Sequence, residues 1–237
     1  MRVQRALALA GVASRRAAER MVEEGRVTVN GQIATIGQSV DDADEIAVDG
    51  TPVAPELTRT YLLNKRVGTV SSVTDPQGRP TVLEGMPAEL RLYPVGRLDL
   101  NTSGVLLITN DGELAHRLMH PRFEVPKVYD TLVEGRVSAD TLRVLRKGVE
   151  LDDGMTHPAK VEKMERLHPG GTWLRVQITE GRNRQVRRMC EAVGHPTMRL
   201  FRSRYAGLSA GKLELGAHRL LTTDELARLG RLVELER

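Results

Sequence analysis

The stretch Gly96-Arg97-Leu98-Asp99-Leu100-Asn101-Thr102-Ser103-Gly104, followed by the apolar run Val105-Leu106-Leu107-Ile108, reads as a polar loop feeding a buried strand. Two glycines bracket the loop, and Asp99 is its only acid. A rigid strand that carries a loop presenting one carboxylate is a common way to build a site, although Asp also serves simply as a turn former. A second segment favours the site: Glu180-Gly181-Arg182-Asn183-Arg184-Gln185-Val186-Arg187-Arg188-Met189-Cys190 lies far downstream and is strongly basic. Lys127-Val128-Tyr129 stands between the two.

Working outward from the loop, the apolar runs predict strands at about 60–64, 104–109, 127–134, 158–164, 172–179 and 197–204. Helices are expected at about 112–119, 138–147, 183–193 and 223–234, the last opened by Thr222 and Glu225 at capping-box spacing. Strands and helices interleave irregularly, so the expected class is α+β, a mixed and mainly antiparallel sheet with flanking helices. The first 50 residues read as a separate small unit. Val3 to Ala10 forms a short helix closed by Gly11. Ser14 caps a second helix that ends at Gly25, with Ala17, Ala18, Met21 and Val22 on one face and Arg15, Arg16 and Arg20 opposite. Arg26 to Val29 and Gln32 to Ile36 pair across Asn30-Gly31, and Glu45 to Val48 adds a third strand. The expected division is therefore 1–50, a linker at 51–59 with Pro52 and Pro55, and a large domain at 60–237.

Charge is unevenly spread. Residues 1–30 carry six arginines against three glutamates, and residues 181–204 carry seven arginines against Glu191 alone. Two basic surfaces point to a polyanion, most plausibly nucleic acid. One cysteine, Cys190, excludes an intrachain disulfide and any cysteine-based zinc site. The absence of an apolar span or leader predicts a soluble, cytoplasmic protein with no membrane partner. Glu113, His116 and His120 have helical spacing but no third metal ligand in view, so no metal is expected. Gly207 to Lys212 is one residue short of a phosphate loop, and no dinucleotide fingerprint occurs. No cofactor is expected.

With these motifs the whole chain resembles the S4-containing ribosomal RNA pseudouridine synthases. Gly-Val-Ala-Ser-Arg-Arg-Ala-Ala-Glu-Arg followed by Gly-Arg-Val-Thr-Val-Asn-Gly resembles the S4 domain, the αL-like RNA-binding fold. That resemblance implies uridine isomerisation after base flipping. It makes Asp99, in an unaltered Gly-Arg-Leu-Asp motif, the nucleophile, and leaves open whether it attacks the ribose or the base. It implies that Tyr129, in Lys-x-Tyr, stacks on the base and helps remove the C5 proton. Arg187 would pair with Asp99 and keep it ionised in a dry pocket, with Arg97 and Leu200 beside the base. The remaining RNA contacts are expected from Arg5, Arg15, Arg16, Arg20 and Arg26 in the first unit, and from Lys65, Asn101, Arg182, Arg184, Arg188 and Arg202 in the second. Arg66 stands where the family often has proline after the lysine. The basic motif resembles the large-subunit branch, so the expected partner is 23S ribosomal RNA or a pre-ribosomal particle, met by a monomer. A small-subunit synthase, or an assembly factor without catalysis, are the alternatives. A nuclease would want paired carboxylates or a metal.

Overall fold

A computed structural model describes residues 1–41, 43–54 and 56–235. Pro55, expected in the linker, lies outside the described residues. By its internal contacts the chain divides into two compact units. The first is Met1–Arg59 with Pro87–Leu92 and Asn110–Gly112, and the second takes the remainder.

In the first unit helices α1 (Val3–Leu9) and α2 (Arg15–Glu23) precede strands β1 (Val27–Val29), β2 (Gln32–Ile33), β3 (Ile46–Val48) and β4 (Thr51–Pro52). Ser14 caps α2, its hydroxyl accepting from the Ala17 amide at 3.1 Å. Asn30 and Gly31 both have positive φ (51° and 77°), which a two-residue hairpin turn of the observed hand demands. The sheet runs β2-β1-β3-β4, all antiparallel. Val3, Leu7, Ala18, Val22 and Val27 close the core under it. Two expectations change here. The second strand stops at Ile33, and Thr51–Pro52, expected as linker, pairs with β3.

The second unit begins with β5 (Thr60–Lys65), β6 (Tyr93–Pro94), β7 (Ser103–Thr109), α3 (Gly112–Met119) and β8 (Lys127–Glu134). It continues through α4 (Ala139–Lys147), the hairpin β9 (Glu150–Leu151) and β10 (Gly154–Met155), β11 (Lys160–Lys163) and β12 (Gly171–Ile178). After α5 (Gln185–Ala192) come β13 (Thr197–Tyr205), β14 (Leu208–Ser209), β15 (His218–Leu220) and α6 (Thr223–Leu232). The main sheet runs β11-β12-β8-β13-β7-β5-β15, with β14 and β6 attached to β13 and β7. Its pairings are antiparallel except for β13 with β7, which join in parallel through Phe201–Ser103 and Arg202–Gly104.

That parallel seam depends on one glycine. Gly104 has φ of +112°, and a β-carbon there would lie 2.3 Å from the Arg202 carbonyl oxygen. No side chain fits between the strands. Leu106, Leu107 and Ile108, all fully buried, then anchor β7 in the core; each contributes about 1.5–3 kcal/mol by leaving water. The capping box expected at α6 is present between Thr222 and Glu225. Helix α5 starts two residues later than expected, because Arg184 takes a left-handed φ of 48° and sits outside the helix as its N-cap.

Candidate active site

The backbone of the Asp99 loop is pinned at every carbonyl from Leu98 to Thr102. The Ser71 hydroxyl donates to Leu98 O at 2.8 Å and accepts from the Leu98 amide at 3.1 Å. Asp99 O accepts from Lys65 Nζ (3.0 Å) and from the Thr102 amide (3.0 Å). The Gly68 amide reaches Leu100 O at 2.8 Å, Arg187 Nη2 reaches Asn101 O at 2.9 Å, and Lys65 Nζ reaches Thr102 O at 2.8 Å. With the peptide groups consumed, the Asp99 carboxylate is left to face outward, about a third exposed.

Lys65 is therefore a correction. Expected to meet RNA, it is 1% exposed and donates to three carbonyls, the third being Arg66 O at 3.2 Å. Burial pushes its pKa down to about 8, an effect that the nearby Asp99 opposes and Arg202 reinforces. Arg202 is the second correction. It is 3% exposed, donates from Nε to Val105 O at 2.8 Å, and lies 4.7 Å from the Tyr205 ring centre. Both side chains fill the floor beneath the loop and offer no surface to a phosphate.

Above that floor a cleft of about 70 Å³ gathers residues from distant segments, among them Arg97, Asp99, Tyr129, Arg184 and Leu200. Tyr129 comes from β8 and Leu200 from the adjacent β13, both nearly buried and lining the cleft. Two guanidiniums approach the carboxylate almost equally: Arg187 Nε stands 3.9 Å from Asp99 Oδ2, and Arg184 Nη1 3.8 Å. Neither distance is a hydrogen bond. Their settings differ. Arg187 is buried on the first turn of α5 and its Nε is a buried donor without an acceptor, whereas Arg184 is half-exposed at the mouth. Burial lowers the Arg187 pKa, the charge of Arg184 lowers it further, and Asp99 opposes both.

The other arginines of the basic segment are already engaged. Arg188 pairs with Asp152 and with Asp153 (2.9 Å) at the tip of the β9–β10 hairpin. Arg182 pairs with Glu180 (3.0 Å) and Asp153 (3.3 Å) and donates to Gly154 O and Met155 O. Arg184 and Arg188 do not share a helix face, because Arg184 precedes α5 and Arg188 turns to the hairpin acids. In the first unit Arg15, Arg16 and Arg20 are exposed, Arg5 is half-buried, and Arg26 is paired with Asp49 (2.6 Å). Asn101 is exposed beside the cleft loop. Glu113 of the imagined metal cluster pairs with Arg117 at 2.8 Å.

Sequence reasoning missed Ser71, Glu180, Asp152 and Asp153. Glu180 had a visible signal, being the acid that opens the basic segment. The others had none, because their partners lie 27 to 36 residues away.

Comparison with known proteins gives two family matches, an RNA pseudouridylate synthase model over residues 59–192 and an S4 domain over residues 1–46. The chain is 44% identical to the ribosomal large subunit pseudouridine synthase B of Bacillus subtilis, covering 98% of this chain and 97% of that protein. It is 40% identical to the synonymous protein of Pseudomonas aeruginosa, covering 99% of this chain and 63% of that one. A crystal structure of a pseudouridylate synthase superposes with a TM-score of 0.69 at 28% identity, over 97% of this chain and 99% of the other.

Proposed function

The chain belongs to the RNA pseudouridylate synthase family, and from that premise we propose that it converts a specific uridine of large-subunit ribosomal RNA to pseudouridine. The observation that carries the reading is the cleft: Asp99, Tyr129 and Leu200 from three distant segments, with Arg97, Arg182 and Arg184 around them. The reaction is an isomerisation. The N1–C1′ bond breaks, the uracil turns, C5 bonds to C1′, and the C5 proton is lost while N1 gains one. A single carboxylate suffices as nucleophile, and Asp99 is the acid that the pinned loop presents.

Tyr129 stacks on the flipped base and assists loss of the C5 proton, with Leu200 on the cleft wall beside it. Arg187 sets its charge beside Asp99; its unaccepted Nε supplies a donor that closes on the carboxylate when a base displaces water. Arg184 at the mouth meets phosphates, and Arg97 lies beside the base. The names of the relatives favour the large subunit over the small. A catalytically silent assembly factor would gain nothing from aiming a lone carboxylate into a basic cleft. We assign residues 1–52, β4 included, to RNA anchoring and residues 60–237 to catalysis, working as a monomer on ribosomal RNA or a pre-ribosomal particle.

The test is Asp99→Asn in the full chain, with pseudouridine formation in an unmodified large-subunit transcript as readout. Turnover should fall to a trace while RNA affinity and unfolding midpoint stay near wild type. Sustained turnover by the variant would remove Asp99 from the chemistry.

A further inference from the structure

We propose that the outer face of α3 and the turn after it form a stacking platform for an unpaired RNA base neighbouring the target uridine. This rests on the RNA reading above and adds a surface to it. His116 and His120 lie one helical turn apart, both exposed, their rings edge to face with centres 5.5 Å apart. His120 continues to Phe123 at 6.2 Å, and the Arg122 guanidinium lies 4.5 Å from the Phe123 ring centre. Met119 between them is half exposed. Two of the chain's six histidines and one of its two phenylalanines meet in this patch.

The chemistry of the patch selects its occupant. Flat rings, a polarizable thioether and cations around them suit a nucleobase with its phosphate, since every base has a π-face and each phosphate a charge. Phe123 leans on the core beneath, so the platform has a rigid foot. Arg122 pairs across solvent with Glu234 at 3.0 Å, both side chains well exposed, and such a pair exchanges readily for a phosphate. The patch also lies near the loop that carries Asp99. A β-carbon at Gly96 would lie 4.0 Å from Met119 Cγ, and Gly96 opens the loop that carries Asp99 three residues on, a reach of about 10 Å. That spacing is short enough for a base held there to neighbour the flipped uridine in the same RNA.

The experiment uses the full chain and an unmodified large-subunit ribosomal RNA transcript, reading equilibrium binding and single-turnover pseudouridine formation separately. The double variant His116→Ala with His120→Asn removes the ring area, while the asparagine keeps an acceptor for the Arg122 amide that His120 Nδ1 now serves at 3.2 Å. Affinity should fall at least about tenfold, with the rate at saturating RNA within about twofold of wild type. His116→Phe should bind like wild type, and His116→Lys should not. Unchanged affinity in the double variant, or rescue by lysine and not by phenylalanine, would overturn the platform. Failure of wild type to form pseudouridine would instead overturn the proposed function, and the binding comparison would still judge the platform.

Discussion

The two halves of the cleft are held by opposite means. On one side the Asp99 loop is fastened through its peptide groups, to buried Lys65, buried Ser71 and buried Arg187. On the other, Arg182 and Arg188 of the basic segment are fastened through side-chain ion pairs to the exposed Asp152 and half-exposed Asp153. Backbone bonds in the interior are costly to lose and fix geometry. Surface ion pairs are weak and screened by salt. The difference separates the carboxylate we propose as nucleophile, held in place, from charges free to change partners.

The strongest challenge to that contrast is Gly104→Ala, which forces a methyl against the Arg202 carbonyl. It should destabilise the second unit by about 3 kcal/mol or more, read from denaturant unfolding. A variant of near-normal stability would mean that the parallel seam is not what seats the loop.

Next in size is Lys65→Met, which strips donors from buried carbonyls and should cost about 2–4 kcal/mol and most of the turnover. The same residue gives a pH test. Above about pH 8 its ammonium loses a proton, and a neutral amine cannot serve all three acceptors, so single-turnover rates should decline through that range. The sign for stability is opposite. The folded pKa is depressed below the ordinary 10.5, so between about 8 and 10.5 the unfolded chain binds more protons, and this group's contribution to stability rises with pH. A rate that stays flat to pH 9.5 would exclude the ammonium as the clamp.

Ser71→Ala removes two bonds to Leu98 and should cost about 1–3 kcal/mol, with kcat reduced and KM for RNA little changed. An effect on KM alone would place Ser71 with the binding surface instead. Smallest of all, Asp152→Asn with Asp153→Asn should leave the unfolding midpoint almost unchanged. It should tighten RNA binding at low salt and steepen the salt dependence by about one phosphate contact for each arginine released. If the double variant unfolds easily, the acids are structural and the contrast between the two halves fails.

The same division governs what the sequence made legible. Strand β7, the Asp99 loop, the Ser14 cap and the Thr222 capping box are local patterns, and each was readable as such. Lys65 and Arg202 were assigned to the surface because lysine and arginine seldom lie inside. Their burial depends on accepting carbonyls at Asp99, Thr102 and Val105, distant in sequence and carrying no residue signature. Strand β15 escaped because three residues, His218–Leu220, are too few to show a period. Arg184 was taken as helical because nothing in its identity announces a positive φ, which non-glycine residues adopt infrequently.

The parallel seam between β7 and β13 also has a consequence in time. Arg202 meets Val105 across 97 residues of chain, and no short hairpin can substitute for that closure. During synthesis, the loop bearing Asp99 emerges long before Leu200 and the floor residue Arg202 exist. A nascent or truncated chain ending before β13 has the acid but no cleft wall to set it against. On the proposed role of Asp99, competence therefore arrives late, once β13 (Thr197–Tyr205) pairs beside β7 (Ser103–Thr109), and a chain that ends before β13 should be silent toward RNA.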